Sequence, residues 1–308
     1  MTGPARTSAA VPPWVLAVAA MFSVQLGSAL SVHLFPAVGP AGTAWLRLSM
    51  GALIFLALAR PPLRAVRRRD VPLLLGLGVT TGLMTITFLS AIERIPLGTA
   101  VAIEFLGPLT VAAVRGRRVQ ALVWPAVALL GVVLVTEPWH GHVNTAGVGF
   151  AGLSAINWAT YILLTQRIGD RFTGITGLSL TVPLAAATAA IVGVPKAAGH
   201  VTVGVLAAAT GLAILLPVLP FAFELLALRQ MTATAFGTLM AVEPAIGVLL
   251  GLIVLRQKPS ATQLVGILLV IVAAAAAQRG GLRRPPAAED TAAHAEPEVA
   301  TSGPSMAG

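Results

Sequence analysis

Four ionisable residues sit where water is scarce. Arg47, Glu104, Glu224 and Glu243 each fall inside a long apolar run. A charge at the centre of a bilayer costs at least about 2.5–3.5 kcal/mol, so such residues need a partner or a wet cavity. Glu104 stands four residues before Pro108. A helical proline lacks an N–H and crowds the carbonyl four residues back, which here belongs to Glu104. One spot would then offer a carboxylate, a freed backbone oxygen and a kink, suited to a substrate ammonium or a proton. The structural alternative is a kink-packing carboxyl that is neutral or paired with Arg47. Glu243 directly precedes Pro244, and the carbonyl freed there is that of Met240. Glu243 could be a gate, a proton site or a packing residue. Arg47 could hold a substrate carboxylate with two parallel hydrogen bonds, or snorkel outward, or pair with a neighbouring helix. Glu224, near the inner end of its run, reads as a residue that reaches water.

Neutral polar residues recur at helical spacing. Gln25 and Ser28 are three apart; Asn157, Thr160 and Tyr161 share a face beside Trp158; Thr81 and Thr85 are four apart. They could line a cavity or bond helix to helix. Gly78/Gly82 and Gly247/Gly251 read as close helix contacts, and Pro183, Pro217 and Pro220 as possible bends.

These residues must be positioned by helices in lipid. Of 308 residues, 56% are hydrophobic, 31 are Gly and only 10% are charged. Mean hydropathy is +0.89. A soluble domain carries about 25% charged residues, so a soluble enzyme, a disordered chain and a small secreted module are excluded. About 20 residues of helix cross the hydrocarbon. Ten runs fit: 13–33, 41–59, 71–92, 97–114, 119–136, 147–166, 174–194, 203–226, 233–255 and 261–277. Barrel strands would be shorter and alternate. The first run is long and has no persuasive cleavage site, so it reads as a retained span. The expected fold is an all-α membrane protein of ten transmembrane helices.

The net charge of +9 comes from short basic clusters between runs. This predicts topology rather than a nucleic-acid partner. With both termini in the cytoplasm, only Arg94, Lys196, Arg256 and Lys258 fall outside. There is no Cys, so disulfides and thiolate metal sites are excluded. The His140–His142 pair reads as solvated loop rather than metal ligands. No phosphate-cradling loop, zinc signature or catalytic cluster occurs, so no cofactor is expected and the chain does not read as an enzyme.

The halves repeat. Glu93-Arg94-Ile95-Pro96-Leu97-Gly98 leads to Glu104-Phe105-Leu106-Gly107-Pro108, and Leu228-Arg229-Gln230-Met231 leads to Glu243-Pro244. Each proline is followed by a basic turn and a span centred on Gly131 or Gly266. Five spans is an odd number, so the second copy must be inverted, as in secondary transporters. The organisation expected is a cytoplasmic segment 1–12, five-helix repeats at 13–138 and 145–278, and a disordered cytoplasmic tail at 279–308.

On the motifs 25–30, 42–48, 93–98 and 104–108 the chain resembles the EamA-type carriers of the drug/metabolite transporter superfamily, and within them the bacterial threonine and homoserine exporters. The likeness covers about residues 14–278. It implies a proton-coupled exporter of small amino acids or related metabolites in the bacterial inner membrane. The expected partners are a small-molecule substrate, protons and the bilayer; a second copy of the chain is left open. Substrate-binding or proton-coupling residues would be Glu104, Arg47, Glu243, Gln25, Ser28, Asn157, Tyr161 and Trp158, with kinks at Pro108 and Pro244. Other readings are a carrier of a different metabolite or drug, a membrane scaffold and a membrane enzyme. A single Tyr and 5% aromatics disfavour large planar cargo.

Overall fold

The computed structural model describes residues 12–59, 66–115, 123–137, 139, 144–168, 174–231 and 233–280. Segments 1–11 and 281–308, the basic stretches around Arg64 and Arg117, and His140 and His142 lie outside the described residues. Every regular element among the described residues is helical. Helix is the state in which an apolar segment satisfies its own backbone without water.

The elements run α1 (Pro13–Ser31), α2 (Phe35–Ala59), α3 (Val71–Ile92), α4 (Leu97–Glu104), α5 (Leu106–Arg115), α6 (Val123–Thr136), α7 (Thr145–Ile168), α8 (Gly174–Ala197), α9 (Val203–Ala213), α10 (Leu219–Leu228), α11 (Ala233–Met240), α12 (Glu243–Val254) and α13 (Ala261–Gly280). Five helical stretches are long and apolar enough to cross a membrane: Pro13–Ala59, Val71–Ile92, Thr145–Arg167, Ile175–Ala197 and Val203–Leu228. Shorter apolar helices cover Leu97–Val111, Val123–Thr136, Glu243–Val254 and Ala261–Ala276. The 47-residue stretch is divided at Gly39, whose φ of 67° and ψ of 171° suit glycine and turn the chain before Pro40.

Three of the expected spans are broken into two helices. Residues 97–114 divide at Phe105, and 233–255 divide between Met240 and Glu243. Residues 203–226 pass through a wide turn at Ile214–Val218 in which Leu216 is extended. Pro108, Pro244 and Pro217 supply the physical reason, because each removes one ladder donor. Pro183, by contrast, lies within the continuous α8.

Side chains start several helices. Asn144 Oδ1 accepts from Gly147 N–H at 2.9 Å, and Thr202 Oγ1 from Val205 N–H at 3.3 Å. Ser260 and Gln263 make a reciprocal box at α13, each side chain accepting from the other's N–H at 3.1 Å. The first turn of α4 is capped from far along the chain: Leu97 N–H donates to Gln257 Oε1 at 3.0 Å.

Packing crosses between the halves. α2 lies along α8, α3 along α7 and α8, α6 along α13, α1 against α10 and α12, and α4 against α12. Glycines let these backbones approach. A Cβ on Gly131 would sit 2.6 Å from Gly266 O, and one on Gly266 would sit 2.6 Å from Gly131 O. A Cβ on Gly78 would lie 2.3 Å from Leu184 Cβ. Small residues replace apolar driving force here, because lipid is as apolar as a leucine side chain.

Candidate functional site

The polar stripe on α1 is longer than its first two members. Gln25, Ser28 and Ser31 follow at three-residue spacing and all are buried. Ser28 and Ser31 turn their protons onto their own helix, Ser28 Oγ to Val24 O at 2.9 Å and Ser31 Oγ to Gly27 O at 2.7 Å. That leaves Ser31 Oγ free to accept, and Arg47 Nη1 donates to it at 3.3 Å. Arg47 is 4% exposed. It does not snorkel, and it does not pair with Glu104. Among the described residues the ion pair within bonding distance is Glu93 with Arg94 at the end of α3, so the buried guanidinium has no carboxylate partner there.

Glu104 ends α4 at the break and is half-buried. Its Oε1 accepts from Ser154 Oγ on α7 at 2.5 Å. Met84 O on α3 lies 3.3 Å from the same hydroxyl, which has one proton for two acceptors. Glu243 opens α12 at the other break and is 6% exposed. Its Oε1 accepts from Gln25 Nε2 on α1 at 3.0 Å. The bonding is reciprocal: the first-half carboxylate is met by the second half, and the second-half carboxylate by the first. Glu104 and Glu243 lie within electrostatic range of one another, and Glu224 within range of Glu243.

The α7 face is less uniform. Tyr161 lies within electrostatic range of Glu224. Trp158 stands edge-on to Phe105, ring centres 5.5 Å apart, against the turn between α4 and α5. Asn157 and Thr160 donate to Leu153 O and Ile156 O of their own helix at 2.9 and 2.8 Å. Thr85 likewise bonds Thr81 O at 2.9 Å.

Ser31 and Ser154 were missed by reasoning from sequence. Both extend stripes already visible there: Ser31 lies three residues beyond Ser28, and Ser154 three before Asn157. No group of His, Asp or Glu among the described residues is arranged to hold a metal.

Comparison with known proteins gives this arrangement its family. Residues 145–277 match the EamA-like transporter family. The threonine/homoserine exporter RhtA of Escherichia coli is 36% identical over 277 residues, covering 87% of this chain and 91% of that protein. The chain belongs to the EamA-like transporter family. It is a multi-pass membrane transporter of the drug/metabolite transporter superfamily, and these relatives are carriers rather than enzymes. RhtA of Salmonella typhimurium is 35% identical with the same coverage. The pseudopaline exporter CntI of Pseudomonas aeruginosa is 30% identical over 131 residues, covering 41% of this chain and 46% of that protein. A crystal structure at 20% identity superposes with a TM-score of 0.59, covering 87% of this chain and 99% of its own, a likeness of fold.

Proposed function

We propose that this EamA-like transporter is a secondary active exporter of small amino acids of the threonine and homoserine kind, or related metabolites, across the bacterial inner membrane. The cargo class follows RhtA, 36% identical and matched over 91% of its length. The mechanism is alternating access between two inverted five-helix repeats, 13–138 and 145–278, giving ten spans with both termini in the cytoplasm.

The observation that carries this reading is the reciprocal bonding of the mid-span carboxylates, Glu104 to Ser154 and Glu243 to Gln25. Each fourth span breaks at its glutamate, and each glutamate is held by the first span of the other half. The packing has the same character: α2 with α8, α6 with α13 and α4 with α12 bring equivalent spans together. Rocking one half against the other therefore moves the polar centre directly. Arg47, buried without a carboxylate, holds the substrate carboxylate beside Ser31. Glu104 and Glu243 serve the ammonium group or a coupling proton, with Ser28, Asn157, Tyr161 and Trp158 shaping the cavity between the halves. Pro108 and Pro244 keep the breaks open.

The test is efflux of labelled threonine from loaded proteoliposomes, with and without an imposed pH gradient. Saturable efflux accelerated by the gradient is expected. Unchanged efflux by a properly inserted Glu104→Gln variant removes Glu104 from its role. The likeness to CntI supports a second reading, export of a different small metabolite. Flux of such a compound with none of threonine selects it.

A further inference from the structure

The two mid-span carboxylates are not equally provided for. Glu104 accepts from Ser154, and that hydroxyl has Met84 O as an alternative acceptor. The Gln25–Glu243 contact contains one donor and a surplus of acceptors. Glu243 Oε1 accepts from Gln25 Nε2, while Glu243 Oε2 and Gln25 Oε1 are both buried with no hydrogen-bond partner. Gln25 is 2% exposed and Glu243 6%. Buried polar atoms are almost always paired, and leaving one unpaired costs its full desolvation. Turning the Gln25 amide over does not cure the shortage, since its oxygen would then face a carboxylate that has no hydrogen to give. The missing component is a hydrogen donor.

Charge around the contact points the same way. α1, α11 and α12 carry no basic side chain, and α12 has no acidic residue besides Glu243. α4 contributes Glu104, within electrostatic range, and α10 contributes Glu224, also within range. α13 has no charged residue before Arg279 at its far end. Arg47 is engaged six residues further along α1, at Ser31.

We propose that Gln25 and Glu243, where α1 meets α12, form the transporter's cation-accepting site. It takes a positively charged hydrogen donor, the primary ammonium of the substrate or a proton, between Glu243 Oε2 and Gln25 Oε1. The assignment rests on the transport reading and refines it, because it centres the cation on Glu243 of the two carboxylates and makes Gln25 its paired ligand. Glu104 stays with Ser154 as the second acidic group of the pair.

Filling an unsatisfied buried site stabilises the folded protein by mass action, so the test needs no flux. The purified full-length protein is melted across a pH series. At one neutral pH it is also melted with L-threoninamide, which has a primary ammonium and no carboxylate, or N-acetyl-L-threoninamide, which has no ammonium. The wild-type midpoint rises by ~2–4 °C with threoninamide or on acidification, and not with the acetylated probe. Glu243→Gln loses that rise, because its own amide N–H supplies the donor. Gln25→Ala diminishes it, and Gly149→Ala, at a position with open space beside it, keeps it. A rise with threoninamide at constant pH names the substrate ammonium as the donor; a rise on acidification alone names the proton. The proposal is overturned if the wild type responds to neither, or if Glu243→Gln responds like the wild type. Should Glu243→Gln not survive purification, Glu243→Asp is expected to keep the rise and Gln25→Ala to diminish it; the reverse order overturns the site. A protein that responds as expected yet carries no threonine counts against the transport reading alone.

Discussion

Arg47 and Ser154 carry the sharpest consequences of single side chains. A buried guanidinium with one neutral partner, Ser31, keeps donors for an incoming anion. Hydrogen bonds to charged groups contribute about 1.5–3 kcal/mol. Arg47→Leu should therefore weaken the apparent affinity for threonine by roughly 10–100-fold, read from counterflow at graded substrate concentrations. Arg47→Lys keeps the charge but not the planar fork and should recover only part of it. Ser154→Ala strips Glu104 of its donor across the two halves. A buried acceptor left unmet costs about 1–3 kcal/mol, so the detergent melting point should fall by a few degrees. The sequence marked the carboxylates, the arginine and Gln25 because ionisable and amide groups are rare in apolar runs. It did not mark Ser31 or Ser154. Serine is common in transmembrane helices and satisfies itself on its own backbone, as Ser28 does. Only the folded structure shows which serine meets a partner from another helix.

Among the elements, the third apolar run, read at residues 71–92, is matched by α3 over Val71–Ile92. The prolines marked kinks at Pro108 and Pro244 and the carbonyls of Glu104 and Met240 they free, but not that each helix would end there, because periodic apolarity continues straight through both positions. Gly131 and Gly266 were legible as counterparts at the centres of the last spans, and the structure sets them face to face. Gly131→Leu should drive a side chain into the facing carbonyl. Overpacking of this kind costs about 1–3 kcal/mol, and thermal unfolding in detergent should show the loss. Gly149, with open space beside it, should accept Ala with little change in the same assay.

At the level of the molecule, the order of contacts between halves was out of reach of the sequence. A repeat predicts equivalent spans but not which of them touch. Ten spans with cytoplasmic termini make a direct prediction. The chain has no Cys, so single cysteines can be introduced without first removing any. His200→Cys and Arg229→Cys place thiols at exposed positions at opposite ends of the α9–α10 span. A membrane-impermeant maleimide should label the first on intact spheroplasts and the second only after permeabilisation. Labelling of both on intact cells would refute the topology.

The bond from Leu97 N–H to Gln257 Oε1 ties the beginning of α4 to the turn after α12. In the ten-span arrangement both lie at the periplasmic rim. In the proposed alternating-access cycle, opening that rim would uncouple a main-chain donor from its acceptor and rehydrate each, so the catch would add to the barrier for release. Gln257→Ala would lower that threshold while weakening the closed form. The carrier would then leak cargo at rest and respond less steeply to temperature, much as a door without its latch swings in any draught.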